Sequence, residues 1–234
     1  MKIAILAAGR SSRIYDKIQK NKCLIEINGE TLINNSIRKL IETNKIKEED
    51  IYIVTGFNHK MLKLDIKKKF KKINFIYNKY FQKREMLYSM MLALKKIKED
   101  FICIYSDILI SQKTLNKLLL KKDKFKITIP ILKNWEQIWK YKGKSIFQDA
   151  EDLKFDGRKL EVKSIGQKII KNKPEYQYMG IIYFPKKEFK NILNLYLKVK
   201  NQRSMHLTKF LNVLIVRKVK VCGVPISSYW YEFD

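Results

Sequence analysis

The stretch IAILAAGRSSR, residues 3–13, opens as an apolar run and closes as a small-residue loop carrying two arginines. Ile3, Ile5 and Leu6 make the kind of run that forms an interior strand of a parallel sheet. Ala7, Ala8 and Gly9 then remove side-chain bulk, so a ligand can approach the backbone N–H and C=O groups closely. Ser11 and Ser12 add hydroxyls, and Arg10 and Arg13 add fixed positive charge suited to phosphate. A nucleotide across the carboxyl end of the strand fits this loop. An ordinary strand-to-helix turn fits it equally.

Outward from that strand, apolar spacing alternates between two periods. TLINNSIRKLIETN (31–44) carries Leu32, Ile33, Ile37, Leu40 and Ile41 on one face, which is helical spacing. DIYIVTGF (50–57) predicts a strand, HKMLKLDIKKKF (59–70) a helix, INFIYN (73–78) a strand, REMLYSMMLALKKI (84–97) a helix and FICIYSD (101–107) a strand. This order predicts an α/β fold with a parallel sheet covered by helices. Past residue 125 strands dominate: KFKITIPIL, then residues 144–166 with a hairpin turn at Asp156–Gly157, then YQYMGIIYF (176–184) as one strand. Two helix candidates follow, and VKVCGVPI and SYWYEFD return to strand. No Gly/Ser-rich or Pro-rich linker interrupts the chain. The expectation is one domain over 1–234, with a nucleotide half (1–124) and an acceptor half (125–234).

Composition narrows the function classes. The 234 residues are 46% hydrophobic and 12% aromatic, which fits a globular chain. No apolar run approaches the ~20 residues of a membrane span, and the N-terminal run is too short for a signal-peptide core. A cytoplasmic protein with no membrane partner is expected. Cys23, Cys103 and Cys222 are odd in number and form no CxxC pair, so neither a disulfide framework nor a zinc site is indicated. The formal charge of +27 would suit a nucleic-acid binder, yet only seven of the fifty basic residues are Arg. The lysines spread over nearly every predicted helix in a chain also rich in Ile and Asn, a bias of A/T-rich codons. In KLDIKKKFKK (63–72), Leu64, Ile66 and Phe70 interleave with them as on an amphipathic helix with a wet side. No nucleic-acid partner is expected, although the excess charge would draw anionic substrates.

The acids at strand ends form a second constellation. Asp107 follows the strand ending at Tyr105, and Asp234 ends YWYEFD. Two carboxylates meeting at a phosphate site suit Mg²⁺, which takes hard oxygen ligands. An aspartate after a strand also serves as a helix cap, and SQKTLNKLLL begins four residues after Asp107. His59 and His206 are the only histidines, which leaves little for a histidine triad. No GxxxxGK[ST] loop is present, so a P-loop ATPase or kinase has no support. Trp135, Trp139, Tyr141 and Trp230, with Glu151 or Glu232, could hold a cationic amine through ring faces and charge. The same rings could simply fill the core. Lys142 and Lys144 could meet a phosphate or face water.

The motifs also carry a resemblance. LAAGRSSR, with Lys22 nine residues after Arg13 in NKCLIEING, resembles the LAAGxGxR…PK signature of nucleotidyltransferases that join an NTP to a small phosphate. LYSMMLAL, FQDAEDL, IGQKI, YQYMGIIYF and WYEFD resemble, in order, blocks of its bacterial phosphocholine/phosphoglutamine cytidylyltransferase branch. Ser11 stands where that signature has its second glycine. Asn21 and Cys23 replace the prolines flanking the lysine, and Ser106 replaces the glycine before the aspartate. The resemblance implies a Rossmann-like α/β/α sandwich with a mostly parallel mixed sheet, like the nucleotide-diphospho-sugar transferases, and β-rich acceptor-binding insertions in the second half. It implies Mg²⁺-dependent attack of an acceptor phosphate on the α-phosphorus of CTP, with pyrophosphate leaving, in the service of capsule or cell-surface decoration. Arg13 and Lys22 would be catalytic. Leu6, Ala7, Ala8, Gly9, Ser11, Ser12, Arg13, Met86, Ser89 and Asp107 would bind the nucleotide. Lys22, Trp139, Glu151, Tyr178, Gly180, Trp230 and Glu232 would bind the acceptor, and Asp107 with Asp234 would hold Mg²⁺. The implied partners are CTP and a small phosphorylated acceptor, in a monomer or homodimer. A sugar-1-phosphate nucleotidyltransferase and a basic nucleic-acid-binding or catalytically dead module are the alternatives. Choline, glutamine and sugar phosphates are not separated by these residues.

Overall fold

Lys2–Ala7 forms strand β1, and from Ile3 to Ala7 no residue is more than 4% exposed. Its alternation sends Ile3, Ile5 and Ala7 to one hydrophobic core and Ala4 and Leu6 to another, so both faces of the strand are covered. This double burial is why the run is continuously apolar. The computed structural model describes residues 1–10, 20–141, 150–170 and 172–233, with Tyr141 described by its backbone alone.

The chain continues through β2 (Glu26–Ile27), β3 (Glu30–Thr31), α1 (Leu32–Ile41), β4 (Ile51–Thr55), α2 (His59–Lys69), β5 (Asn74–Tyr77), α3 (Met86–Lys96) and β6 (Phe101–Tyr105). The second half holds β7 (Ile108–Ile110), α4 (Gln112–Lys121), β8 (Ile127–Leu132), α5 (Trp135–Tyr141), β9 (Glu151–Asp156) and β10 (Glu161–Lys168). It ends with β11 (Gln177–Tyr178), β12 (Ile181–Phe184), α6 (Phe189–Lys198), α7 (Leu207–Val216), β13 (Val221–Ile226) and β14 (Trp230–Glu232). One mixed sheet runs in the order β5-β4-β1-β6-β12-β8-β13-β10-β9, with β11 on β8. The ladders β5/β4, β4/β1, β1/β6 and β8/β13 are parallel, and β12 joins the two groups antiparallel to β6 and β8. Helices α1, α2 and α4 contribute to the core on one face, and α3, α6 and α7 to the core on the other. The parallel strands β5, β4, β1 and β6 therefore present their carboxyl ends along one edge. Among the described residues no helix is long and apolar enough to cross a membrane.

Several sequence expectations need correction. Ser111, not Asp107, caps α4: its Oγ accepts the Thr114 N–H at 3.1 Å. Between Asp107 and that cap lies the unforeseen strand β7, too short to show a period. The β9–β10 hairpin turns through residues 157–160 rather than in two residues at Asp156–Gly157. Asp156 remains in β9, and its Oδ1 accepts the N–H groups of Arg158 and Lys159 at 3.1 and 3.2 Å, an Asx-type closure. The expected single strand 176–184 is broken between β11 and β12. Gly180 takes φ +72° there, its carbonyl accepts the Tyr105 N–H at 2.9 Å, and an added Cβ would lie 3.0 Å from the Tyr105 ring. Gly180→Ala is expected to cost about 1–2 kcal/mol, lowering the melting temperature by roughly 2–8 °C in thermal denaturation. An unchanged melting curve would show that the break tolerates a side chain.

Candidate active site

The chain leaves β1 through Ala8, Gly9 and Arg10 at the carboxyl edge of the sheet. The Ala8 carbonyl accepts the Phe57 N–H at 3.1 Å, tying the exit of β1 to that of β4. Gly56 makes this possible, since a Cβ there would stand 2.7 Å from the Ala8 oxygen and 2.6 Å from Phe81 Cβ. Beside this exit opens a cleft of about 550 Å³. Leu6, Ala8, Gly9 and Arg10 form one wall, Asn78, Phe81 and Gln82 follow from the end of β5, and Met86 and Ser89 come from α3. The expected nucleotide residues Leu6, Ala8, Gly9, Met86 and Ser89 thus meet at one cleft. Ala7 faces the opposite core and can contribute only backbone here. Ser11, Ser12 and Arg13 lie outside the described residues. Ser89 is buried, and its Oγ accepts from Asn78 Nδ2 at 3.0 Å, while Asn78 Oδ1 accepts the Tyr80 N–H at 2.9 Å. Ser89 therefore holds the loop that shapes the cleft.

A second group lies at the exit of β6. Lys22 sits in a short 3₁₀ turn, Lys22–Leu24, and its Nζ is 3.2 Å from Asp107 Oδ2. Both side chains are largely buried, at 15% and 18% exposure. The Asp107 carbonyl accepts the Phe233 N–H at 3.0 Å. That contact follows from β14 pairing antiparallel with β7, which returns the end of the chain to the exit of β6. Asp234 itself lies outside the described residues. Next to Lys22, burial pushes the Cys23 thiol up to about 12, with the Asp107 charge adding to the effect. This is an inert core thiol. Among the described residues no three His, Cys, Asp or Glu side chains gather as a ready-made metal cage.

The expected acceptor residues divide into two kinds. Trp139 stacks on Trp230 at 5.6 Å and 12°, and Trp135 meets Trp139 edge-on at 5.4 Å. Their exposures are 4%, 1% and 1% for Trp139, Trp230 and Trp135. Of the two readings of these rings, the core-filling one describes Trp139 and Trp230, which cover one another. The reason is helical spacing, which puts Trp135 and Trp139 on one face of α5, where burial of large rings outweighs exposure. Tyr178 meets Tyr105 edge-on at 5.9 Å, and burial raises both phenols well above their ordinary range. The Glu151 and Glu232 charges push Tyr105 further in the same direction, so both acids lie within electrostatic reach of this pair. Glu151 is itself shifted upward by burial, although its Oε1 accepts the Thr208 hydroxyl at 2.8 Å. Tyr141, Lys142 and Lys144 are outside the described side chains.

The cleft also holds Arg84, Glu85 and Arg203, which sequence reasoning missed. One signal was available. Arginine is scarce here, and three of the seven (Arg10, Arg84 and Arg203) line this single cleft.

With this geometry in view, residues 3–172 match the MobA-like NTP transferase domain. The chain belongs to the MobA-like NTP transferase family. This NTP transferase is also similar to the CTP:phosphoglutamine cytidylyltransferase of Campylobacter jejuni subsp. jejuni, with 29% identity across 100% of this chain and 96% of that protein. Among solved structures, the inositol-1-phosphate CTP transferase from T. maritima aligns with a TM-score of 0.79 at 17% identity, covering 100% of this chain and 89% of that one. The CTP:phosphocholine cytidylyltransferase from Streptococcus pneumoniae aligns with a TM-score of 0.72 at 19% identity, covering 99% and 92%. The Rossmann-like mixed sheet and the nucleotidyltransferase family expected from the motifs are both present in this NTP transferase.

Proposed function

We propose that this NTP transferase is a cytidylyltransferase joining CTP to a small phosphorylated acceptor of the phosphoglutamine or phosphocholine type. The carrying observation is the Lys22–Asp107 pair beside the small-residue exit of β1, in a chain similar end to end to a phosphoglutamine cytidylyltransferase. An oxygen of the acceptor's phosphate attacks the α-phosphorus of CTP. The bond from that phosphorus to the bridging oxygen of the β-phosphate breaks, and pyrophosphate leaves. The protein must align two anions and offset the charge that builds between them. The exit of β1 (Leu6, Ala7, Ala8, Gly9, then Ser11 and Ser12) with Met86 and Ser89 frames the nucleotide. Arg13 grips the departing phosphates, and Lys22 stands between the α-phosphate and the acceptor's phosphate.

The donor chemistry at Asp107 suits Mg²⁺, which takes one or two carboxylates and completes its shell with waters and substrate phosphates. Asp107 and Asp234 would hold the ion, which when bound neutralises charge on the polyphosphate. Glu151, Glu232, Tyr178 and Gly180 frame the acceptor, with the buried Trp139–Trp230 stack as the wall behind. The acids suit the cationic nitrogen of either acceptor. A single nucleotidyltransferase domain working in the cytoplasm, as a monomer or homodimer, and supplying an activated group for capsule or cell-surface decoration completes the proposal.

A screen of four NTPs against choline, glutamine and sugar phosphates, reading pyrophosphate release, tests it. CTP is expected to be used well above ATP and GTP, with a non-sugar phosphate as acceptor. A purine preference, or binding of DNA with no pyrophosphate released, would sink it.

A further inference from the structure

The cleft beside the exit of β1 holds one acid, Glu85, among four cations, Arg10, Lys83, Arg84 and Arg203. Glu85 precedes α3, and its N–H donates to the Arg203 carbonyl at 3.1 Å, which pins the turn before α7 onto the start of α3. The Glu85 carboxylate, 43% exposed, lies 3.6 Å from His206 Nδ1. The Arg84 guanidinium stands 5.2 Å from the centre of the Tyr88 ring. Arg84, Glu85 and Arg203 all line the cleft. Among the described residues, neither of these arginines has a carboxylate within ion-pair distance. Arg38 shows the contrast, since Glu30 and Glu42 hold it on the surface at 3.0 and 2.6 Å.

A carboxylate only accepts hydrogen bonds, and a guanidinium only donates them. One acceptor beside two donors complements a molecule that offers one donor and two acceptors. Cytosine offers that set along its pairing edge: the N4 amino group donates, while N3 and O2 accept. Uracil inverts two of the three positions, with an accepting O4 and a donating N3–H. A chain of phosphates offers acceptors only, and the Glu85 carboxylate would repel it.

We propose that Glu85, Arg84 and Arg203 read the pairing edge of the nucleotide's base and select cytosine over uracil. This rests on the cytidylyltransferase reading of the same cleft. Glu85 accepts from the N4 amino group, and the two guanidiniums donate to N3 and O2. Arg203 comes from the acceptor half, so the base is held between the two halves of the chain.

Calorimetric titration of the full chain with CMP, CDP, CTP and UTP tests this, in the wild type and in Glu85→Gln, Arg84→Ala and Arg203→Ala. A well-placed base contact carries roughly 5- to 150-fold discrimination. Glu85→Gln should lower the CTP:UTP affinity ratio by about tenfold or more, because the amide can donate to O4. Arg203→Ala should weaken CMP, CDP and CTP by one common factor. Losses that grow with each added phosphate at an unchanged CTP:UTP ratio would overturn the proposal in favour of a phosphate clamp. Unchanged affinities in every variant would overturn it outright, while leaving the cytidylyltransferase reading standing if the wild type binds CTP. A wild type that binds no cytidine nucleotide would bring down both. Arg84→Ala repeats the Arg203 comparison without touching the turn before α7, and melting curves should stay near that of the wild type.

Discussion

Asp107→Asn and Asp234→Asn are each expected to abolish most pyrophosphate release, and the double variant to be scarcely worse than either single one. Residues that hold one ion act as a unit, and removing the second member of a broken unit costs little more. Two independent roles would instead multiply their losses. The topology favours the shared site. The β14–β7 pairing brings the chain back so that the Phe233 N–H reaches the Asp107 carbonyl at 3.0 Å. Removal of divalent cations with EDTA should stop turnover, and Mg²⁺ should restore it. Full activity in EDTA, or multiplicative losses in the double variant, would refute the shared metal site.

Lys22→Ala and Arg13→Ala are each expected to lower turnover by about 10²–10³-fold, the usual loss when one preorganised electrostatic contact to developing charge is removed. For Lys22 the effect has two sources. Its Nζ lies 3.2 Å from Asp107, so the variant removes a cation from the phosphates and also leaves that carboxylate less neutralised beside the incoming anions. Steady-state kinetics with a melting curve separates this from unfolding. Near-normal turnover in a folded Lys22→Ala would remove the lysine from the mechanism, and the same result for Arg13 would remove the arginine.

Much of the cleft beside the exit of β1 was legible because its parts are local. Leu6, Ala8 and Gly9 follow one another in a single motif, whereas Met86 and Ser89, one helical turn apart, were named through the family resemblance. The acceptor side was less legible. Trp139 and Trp230 are ninety-one positions apart, and nothing in either segment says that the rings stack at 5.6 Å instead of facing a ligand. Arg203 gave no motif at all, since its place at the cleft depends on one backbone hydrogen bond to Glu85.

By itself, the sequence determined the alternation of strand and helix, the buried central strand and the small-residue loop after it. Periodicity, side-chain bulk and capping act within a few residues and need no distant partner. Only the tertiary structure decided that Asp107 faces Lys22 and does not cap α4, that the tryptophans close on one another, and that β12 joins the two sheet halves antiparallel. Those outcomes depend on which strand ends and turns share an edge of the sheet, and spacing along the chain carries no information about that.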